Sequence, residues 1–389
     1  MTILLLSAIF PPRHGGSGRW FWETYRRFPS KDVRICAGAH AGDKEFDREH
    51  NVDISRVNLT LPQWGLKSLQ GLWGYGRIFL LLRKRIKADA VREIHAGRCL
   101  PEGWVAWMLN RAMGINYTVY VHGEDVQSAA QSRELTWMVN RVFSRAERVV
   151  ANSQNSKRIL VGDWNLDARL VSVLNPGVDV RRFVPAQSNH RVRESLGWGN
   201  RKVVLTVGRL QKRKGHDRMI EAIREIKSDF PNILYSIVGG GEELESLEQL
   251  VMANSLDDFV QFRGESDDGE LVHCYQQCDI FVLPNREVDG DIEGFGMVLL
   301  EAQACGKAVI AGDSGATAET MRIPETGCIV DCETSGPLAN ALREFLLDEE
   351  LCERMGAAGR EWTENQFSCD SLADQAWRLF RHESLTKTG

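Results

Sequence analysis

The segment Glu293-Gly-Phe-Gly-Met-Val-Leu-Leu-Glu301 places two carboxylates eight positions apart, across a glycine-rich opening that leads into an apolar run. Where a loop becomes a helix, unpaired backbone N–H groups and the positive end of the helix dipole favour an anionic or hydroxyl-rich ligand. Eight helical residues span a little over two turns, so Glu301 is expected roughly below Glu293. The simpler alternative is an ordinary acid at a helix start followed by an acid that faces solvent.

A basic turn follows an apolar strand in Leu205-Thr-Val-Gly-Arg-Leu-Gln-Lys-Arg-Lys-Gly-His216. The strand ends at Gly208-Arg209, and Lys214-Gly215 precedes a helical run. Arginine offers phosphate oxygens a planar fork and lysine offers a point charge, so together they can neutralise a leaving diphosphate without a metal ion. A solvated basic turn is the alternative, but the two-glutamate segment downstream favours the diphosphate site.

A third loop follows the apolar start of the chain, where Pro11-Pro12 interrupts the strand and Gly15, Gly16 and Gly18 precede a helix. Glycines allow the backbone to approach a phosphate closely. The spacing is neither the G-x-G-x-x-G of a dinucleotide site nor a P-loop, since no Lys-Ser or Lys-Thr follows. This loop alone is a weak signal.

Apolar strands alternate with helical runs along the chain, a pattern typical of parallel sheets covered on both faces. The length of 389 residues favours two domains. We predict doubly wound α/β domains at residues 1–185 and 186–370, with residues 371–389 forming a helix that packs back on the first domain. The predicted strands are Ile3–Ala8, Val33–Ala37, Tyr117–Val121, Arg148–Ala151, Leu170–Leu174, Val203–Val207, Ile233–Val238, Val260–Phe262, Ile280–Leu283, Val309–Ala311 and Cys328–Val330.

Charge divides the chain unevenly. Residues 1–185 carry 27 Lys and Arg against 17 Asp and Glu, a net of +10, whereas the remainder carries 21 against 36, a net of −15. A basic half favours an acidic acceptor or an anionic membrane surface, and residues 76–88 with Trp20, Trp22, Trp64, Trp73, Trp104 and Trp107 are candidates for the membrane contact. The alternative, to which the sequence gives equal weight, is an ordinary surface helix packed on the sheet together with tryptophans of the protein core. No nucleic-acid motif accompanies the charge.

Other features predict a protein of the reducing cytoplasm. No apolar run reaches the 18 to 20 or so residues of a membrane-spanning helix. The nine cysteines are odd in number and scattered, so a disulfide framework is not expected. The pairs Cys274/Cys278 and Cys328/Cys332 do not have zinc spacing and are interpreted as small buried helix residues.

The motifs together resemble those of retaining glycosyltransferases of family 4 (GT4), which have the GT-B fold of two Rossmann-like domains facing across a cleft. The chain carries them in family order: the Gly-Gly-x-Gly loop, His122-Gly123, Asn175-Pro-Gly-Val-Asp179, Arg209 with Lys214, and Glu293-x7-Glu301. Residues 291–320 most resemble bacterial GDP-mannose-dependent phosphatidylinositol mannosyltransferases. Trp20, Trp22 and the His122-Gly-Glu-Asp125 stretch depart from what is expected of those enzymes, so the acceptor stays open.

The resemblance implies a role for each matching residue. Gly16 would face the donor phosphate, Arg209 and Lys214 would hold the diphosphate, and His122 would lie near the reacting centre. The catalytic candidates are His122, Arg209, Lys214 and Glu293. The donor-binding candidates are Gly16, Arg209, Lys214, Arg263, Glu293, Gly294, Phe295, Gly296 and Glu301, with Glu293 on the sugar, Glu301 on the ribose and Arg263 near the base.

The expected reaction is transfer of a hexose, mannose from GDP-mannose as the first choice, to a lipid or glycan hydroxyl with retained configuration. No cofactor or metal is expected, although Asp289-Gly-Asp291 is a D-x-D pattern of the kind that holds a divalent ion in the other large glycosyltransferase fold. The alternatives are a nucleotide-sugar epimerase, which needs an acid/base pair at the sugar, and a non-catalytic nucleotide-sugar-binding protein. A NAD-dependent oxidoreductase lacks its glycine fingerprint, since Leu244 stands where the third glycine belongs. The enzyme is expected in the cytoplasm, peripheral on the membrane's inner face.

Overall fold

A computed structural model describes residues 2–13, 15–50, 53–61 and 63–381. The chain divides into two compact units. The first comprises the described residues up to Gly177 and those from Cys369 onwards, and the second is Val178–Ser368. The sequence-based boundary at residue 185 lies eight residues further along the chain, and the last residues of the predicted C-terminal helix, 382–389, lie outside the described residues.

The first unit is built on a seven-stranded parallel sheet in the order β3-β2-β1-β4-β5-β6-β7. The first strand of the chain, Ile3–Ser7, is wholly buried, and its Leu4, Leu5 and Leu6 side chains alternate between the two covered faces of the sheet. The strands are β1 (Ile3–Ser7), β2 (Val33–Gly38), β3 (Ile54–Val57), β4 (Glu93–Ala96), β5 (Asn116–Val121), β6 (Arg148–Ala151) and β7 (Val171–Val173).

Helices cover this sheet, and several begin at the residue types that favour a helix start. The Ser68, Ser132 and Ser153 hydroxyls each accept a hydrogen bond from a backbone N–H of the first turn that follows. The helices are α1 (Gly16–Tyr25), α2 (Asp43–Glu49), α3 (Leu69–Ala88), α4 (Trp104–Met113), α5 (Glu124–Ala130), α6 (Arg133–Phe143), α7 (Gln154–Gly162) and, from the end of the chain, α15 (Cys369–Phe380).

Helix α15 packs on the first unit through aromatic side chains and one ion pair. Phe380 is fully buried with its ring centroid 4.2 Å from that of His95, and Trp377 contacts Phe28 at 5.0 Å. The Arg27 guanidinium binds Asp370 at 2.6 Å. Burial of these rings stabilises the helix on the unit, since large aromatic side chains dominate the energetics of such contacts.

The second unit has a six-stranded parallel sheet in the order β10-β9-β8-β11-β12-β13. Counting from the first strand of the unit, this is the 3-2-1-4-5-6 order of dinucleotide-binding folds. The strands are β8 (Lys202–Val207), β9 (Ile233–Val238), β10 (Val260–Phe262), β11 (Ile280–Leu283), β12 (Val309–Gly312) and β13 (Gly327–Val330). The helices are α8 (His190–Ser195), α9 (His216–Ile226), α10 (Leu244–Ala253), α11 (Asp268–Gln277), α12 (Met297–Ala304), α13 (Ser335–Leu347) and α14 (Glu349–Gln366).

The strand order changes direction between β8 and β11, which pair directly. In open parallel sheets ligands bind beyond the carboxyl ends of the strands at such a point. Residues 208–215 follow β8 and residues 284–296 follow β11, so the basic turn and the first glutamate of the quoted segment emerge there. The fold therefore brings two motifs about 80 residues apart to one edge of the sheet.

Several expectations need correction. Strands β3 and β4 are absent from the predicted set, and the helix predicted at residues 76–88 begins earlier, at Leu69. Of the six tryptophans proposed for a membrane contact, Trp20, Trp22 and Trp104 are buried, whereas Trp73 is 72% exposed. Of the four cysteines interpreted as buried helix residues, Cys274 lies in a helix, Cys278 and Cys332 are buried outside helices, and Cys328 is half-buried on the strand that was also predicted there. Among the described residues, no helix is both long enough and apolar enough to cross a membrane.

Candidate active site

Glu293 is a buried carboxylate held by two cations from the turn after β8. Its Oε2 atom accepts a hydrogen bond from Lys214 Nζ at 2.5 Å and another from Arg213 Nη1 at 2.9 Å. All three side chains are about nine-tenths buried. The backbone of Glu293 is also fixed, because its N–H donates to Ser314 Oγ at 3.2 Å and its carbonyl accepts from Ala316 N–H at 3.1 Å.

The charge balance keeps this carboxylate ionised. Burial alone would raise the pKa of Glu293, but the nearby Lys214 and Arg213 charges and their hydrogen bonds lower it below its ordinary value. An ionised, buried carboxylate is a strong hydrogen-bond acceptor for hydroxyl groups. Both of these hydrogen bonds go to the same oxygen of Glu293, Oε2.

The turn that carries Lys214 is locked against the loop after β11. Gly215 has a φ of 71°, and a Cβ placed there would lie 1.8 Å from the Pro284 carbonyl oxygen. The Arg286 N–H donates to the Arg213 carbonyl at 2.8 Å, and the Arg286 guanidinium binds Asp217 at 2.8 and 2.9 Å. Only glycine fits this close approach. Gly215 therefore fixes the position of Lys214, and Lys214 supplies the positive charge at the site.

Arg209 follows β8 and its side chain is exposed. The pKa of Glu242 is lowered mainly by a backbone hydrogen bond to its carboxylate and by a hydrogen bond from Gln211, and the positive charge of Arg209 lowers it further. Its carbonyl faces His216 Nε2 at 3.3 Å, and His216 Nδ1 lies 3.0 Å from the Tyr235 hydroxyl. Burial lowers the pKa of His216 to about 4, so the ring is neutral at neutral pH and its Nε2–H supports the Arg209 backbone.

Glu301 lies within helix α12 and is buried, with Oε2 accepting a hydrogen bond from the Tyr275 hydroxyl at 2.7 Å. The expected helical relation between the two glutamates is wrong, because α12 begins only at Met297. Gly296 precedes it with a φ of 92°, which ends any helical path from Glu293. The alternative of a solvent-facing second acid is also excluded, since Glu301 is 6% exposed.

The residues between Glu293 and α12 form the approach to the helix start. Phe295 is buried against Phe367 with ring centroids 6.0 Å apart, which fixes the loop from the side of the protein core. Gly294 is half-buried, and no side-chain oxygen caps the start of α12 at Gly296. The first backbone N–H groups of α12 thus receive no side-chain cap and can serve an anionic or hydroxyl-rich ligand.

Arg263 follows the edge strand β10 and binds within its own neighbourhood. Its guanidinium donates to the Leu196 carbonyl at 2.6 Å and forms an ion pair with Glu270. The Nε atom of Arg263 is buried without a hydrogen-bond partner in the described part of the chain. The structure therefore does not bring Arg263 into contact with Lys214 or Glu293, and its role at the nucleotide base stays a prediction.

In the first unit, Gly16 is the first residue of α1 and His122 follows β5. His122 is buried, with Nε2 2.8 Å from the Gly97 carbonyl and its ring edge-on to Trp20. Its backbone N–H donates to Asp125 Oδ1 at 3.0 Å. The imidazole thus has a structural partner, and its place near a reacting centre stays a prediction, as does the phosphate contact of Gly16.

The D-x-D residues form a tight hairpin. Val288 and Asp291 exchange backbone hydrogen bonds of 2.8 and 3.1 Å, and Asp289 and Gly290 have φ values of 52° and 79°. The Asp291 carboxylate binds Arg213 Nε at 3.1 Å. Among the described residues, no group of three or more His, Cys, Asp or Glu side chains is arranged to hold a metal ion.

Of the predicted residues, the structure joins Lys214 and Glu293 directly, whereas Arg209, Arg263 and Glu301 have other partners. Sequence reasoning missed Arg213 and Ser314, which hold Glu293 from two sides. The run of three cations at Lys212–Lys214 was a signal for Arg213, but the sequence does not show which of the three faces inwards.

Family models match both units. Residues 14–182 match the model of "Glycosyltransferase Family 4", and residues 188–362 match that of "Glycosyl transferases group 1". The first match contains the glycine-rich loop and His122, and the second contains the Lys214 and Glu293 site.

Characterised relatives match the chain almost from end to end. The chain is 38% identical over 391 residues to the GDP-mannose-dependent alpha-(1-6)-phosphatidylinositol monomannoside mannosyltransferase of Mycobacterium tuberculosis, covering 99% of each chain. It is 35% identical over 393 residues to the GDP-mannose-dependent monoacylated alpha-(1-6)-phosphatidylinositol monomannoside mannosyltransferase of Corynebacterium glutamicum, covering 98% of each.

Solved structures share the fold at low sequence identity. The Anabaena protein HepE in complex with UDP-glucose superposes with a TM-score of 0.83 at 19% identity, over 98% of this chain and 100% of that one. Sucrose-phosphate synthase from Thermosynechococcus elongatus has a TM-score of 0.82 at 22% identity, over 98% and 99%. With the family models and the near full-length relatives, this shows that the chain belongs to glycosyltransferase family 4 and is a glycosyltransferase of the GT-B fold.

Proposed function

We propose that this glycosyltransferase transfers mannose from GDP-mannose to a hydroxyl of a lipid-linked or glycan acceptor, with retained anomeric configuration and without a metal ion. The observation that carries the proposal is the buried contact between Lys214 and Glu293 at the strand-order change of the second sheet. The choice of donor is supported by two relatives, from M. tuberculosis and C. glutamicum, whose names specify GDP-mannose.

The site offers each part of a nucleotide sugar a matching group. Arg209, exposed after β8, and Lys214 would neutralise the departing diphosphate. Glu293 would accept hydrogen bonds from the sugar hydroxyls, and the N–H groups at the start of α12 would add donors. Glu301, about one turn into the same helix, is proposed for the ribose hydroxyls.

Retention is proposed from the membership of family 4, and the contacts of Glu293 support a route without a covalent glycosyl–enzyme intermediate. Within the described part of the second unit, the carboxylate at the proposed sugar position, Glu293, is tied to two cations, which weakens it as a nucleophile. We therefore propose that the acceptor hydroxyl enters on the face that the diphosphate leaves, and that a phosphate oxygen takes its proton. Positioning and charge stabilisation would then supply most of the rate enhancement.

Metal independence is supported by the partners of the D-x-D residues. Asp291 is bound to Arg213, and a divalent ion near it would have to displace that guanidinium. Arg209 and Lys214 already provide positive charge for the diphosphate. We expect full transfer activity in EDTA.

The test is a thermal-shift titration with GDP, UDP and ADP in EDTA, followed by a transfer assay with GDP-mannose and an acceptor lipid extract. Stabilisation by GDP at a hundredfold excess over its dissociation constant should amount to about 2.7 kcal/mol. Lys214→Met and Glu293→Gln should each abolish transfer, and Lys214→Met should also weaken GDP binding.

Lys212→Met is the matched control, because Lys212 lies on the same turn with an exposed side chain. It should behave as wild type. Stabilisation by UDP alone would indicate a UDP-sugar as the donor in place of GDP-mannose. Nucleotide binding without any sugar transfer would favour a non-catalytic binding protein. A requirement for a divalent metal would refute the proposed mechanism.

We further propose that α3 makes a peripheral contact with an anionic membrane. Apolar side chains are exposed along this helix, with Leu69 at 84%, Trp73 at 72% and Leu80 at 63%. Arg83, Lys84 and Lys87 are exposed towards its end, as in helices that lie in a membrane interface. The relatives' names place their substrates among phosphatidylinositol glycolipids, which reside in membranes.

Sedimentation with vesicles of anionic lipid tests this contact, with zwitterionic vesicles as the reference. Lys84→Glu should weaken anionic binding at least fivefold, since each surface cation contributes about 1 kcal/mol. Arg133→Glu changes an exposed cation on α6 and is the control. Equal losses in both variants would contradict a contact centred on α3.

A further inference from the structure

We propose that Arg213 is a positioning residue that holds the Glu293 carboxylate in place once Lys214 has engaged the donor diphosphate. This inference rests on the proposed function, because it assigns Lys214 to the diphosphate and Glu293 to the sugar. It adds a residue that the sequence motifs did not assign and explains why one glutamate has two cationic partners.

Lys214 and Arg213 bind one and the same oxygen of Glu293. Arg213 also binds the Asp291 carboxylate, so it keeps an anionic partner whichever way Lys214 points, whereas Glu293 is the carboxylate that Lys214 binds. Lysine is a point charge on a flexible stem, whereas arginine holds a planar fork that can bind two carboxylates at fixed geometry. Lys214 is therefore the partner suited to turn towards a phosphate, and Arg213 is the one suited to stay.

Arg213 is anchored on its other edge as well. Its Nε lies 3.1 Å from Asp291 Oδ2, and its Nη1 lies 2.9 Å from Glu293 Oε2. The guanidinium thus bridges the two ends of the short stretch from the Val288–Asp291 hairpin to Glu293. Its backbone carbonyl accepts the Arg286 N–H, which ties the same residue to the start of that loop. Movement of Lys214 would leave these contacts intact.

The charged groups that face Glu293 are few. Lys214 and Arg213 reach it from the turn after β8, Asp291 on its own loop is bound to Arg213, and the loop after β12 offers the uncharged Ser314 hydroxyl. When Lys214 turns to a phosphate, Arg213 becomes the nearest cation to the carboxylate. Loss of Arg213 should therefore make Glu293 easier to protonate in the donor complex, and less so in the free enzyme.

The experiment compares Arg213→Met with Arg213→Lys and Asp291→Asn in the full-length enzyme. In Arg213→Met, the acid limb of the kcat profile should move up by about one pH unit. At neutral pH, where Glu293 stays ionised, loss of its positioning should lower kcat roughly tenfold. The acid limb of kcat/KM, which reports the free enzyme, should move less. Arg213→Lys should restore part of the loss, and Asp291→Asn, which removes only the second anchor, should have a smaller effect.

The outcomes separate this inference from the proposed function. If wild type binds GDP and transfers mannose but Arg213→Met keeps the wild-type acid limb of kcat, the positioning role is wrong and the proposed function stands. Equal displacement of both acid limbs would show that Arg213 affects Glu293 to the same extent in the free enzyme and in the donor complex, which also overturns the inference. If wild type shows no GDP binding and no transfer, the proposed function itself fails. The melting temperature of each variant identifies any loss that arises from unfolding.

Discussion

Replacing Gly215 by alanine tests the close approach that positions Lys214. Gly215 has a φ of 71°, in the left-handed region, and an added Cβ would lie 1.8 Å from the Pro284 carbonyl oxygen. Ordinary van der Waals contact begins at 3.4 Å, so the turn and the loop after β11 must separate by about 1.6 Å. The expected result is loss of stability together with loss of nucleotide binding.

The magnitude has two parts. A left-handed alanine costs roughly 1 to 2 kcal/mol in itself. Forcing an extra methyl group into packed surroundings typically costs a further 1 to 3 kcal/mol or more. Gly215→Ala should therefore lower the free energy of unfolding by about 3 kcal/mol or more.

Gly264→Ala is the matched control within the same unit. Gly264 has a φ of 69°, and an added Cβ would meet nothing within 4 Å. It shares the backbone strain of Gly215 but not the clash, so its loss should stay near 1 to 2 kcal/mol. The difference between the two variants isolates the approach of the turn to Pro284.

Equilibrium urea unfolding measures both free energies, and GDP titration of the folded variants measures the effect on the site. Separation of the turn from the loop would loosen the Lys214 and Arg213 contacts to Glu293, so Gly215→Ala should bind GDP more weakly than wild type. Equal stability losses in Gly215→Ala and Gly264→Ala would refute the reasoning, because the clash would then have no energetic consequence.

Three further predictions concern stability. The pKa of His216 is lowered to about 4 in the folded protein, so the unfolded chain takes up a proton first as the pH falls below the ordinary value of 6.5. The stability advantage of wild type over His216→Gln should therefore be complete above pH 6.5 and shrink by up to about 3 kcal/mol towards pH 4. A stability difference in urea unfolding that does not change with pH would contradict this. Tyr275→Phe removes a buried donor from Glu301 and should cost about 1 to 3 kcal/mol, measured by urea unfolding alongside GDP titration. Phe380→Ala should lower the free energy of unfolding by roughly 3 to 5 kcal/mol because the ring is fully buried, whereas Leu347→Ala, at an exposed position, should lower it little. Similar losses in the two variants would show that α15 contributes little to stability.

The second sheet could be predicted almost completely from the sequence. All six of its strands were found because each is a short apolar run between helical segments, as expected of strands buried on both faces. Strand β4 in the first sheet escaped the same reasoning because its sequence, Glu93-Ile-His-Ala96, contains two polar residues. The structure buries both, with His95 Nε2 3.1 Å from Glu93 and the Thr118 hydroxyl donating to Glu93 at 2.8 Å.

The sequence did not predict the direct contact between Lys214 and Glu293, although both residues belong to its motifs. The motifs pointed to Lys214 and Glu293, yet only the fold shows that they touch, since the contact depends on β8 and β11 pairing in the sheet. The helical spacing of the two glutamates was misjudged because the glycine at 296 adopts a left-handed φ and delays the helix start. A pattern of residue types indicates which chemical groups are available, while the backbone between those residues decides where each side chain points.

Arg213 illustrates what such a pattern leaves open. Three consecutive cations, Lys212, Arg213 and Lys214, look equivalent in the sequence, but the short 3₁₀ turn that they form points them in different directions. Lys212 is exposed, whereas Arg213 and Lys214 converge on one oxygen of Glu293. Because Arg213 binds both Asp291 and Glu293 whereas Lys214 binds Glu293, Lys214 is the cation that a ligand can draw away with the smaller loss of contacts. In the proposed donor complex a diphosphate bound to Lys214 would be that ligand, and Arg213, bound to Asp291, would stay beside the Glu293 carboxylate.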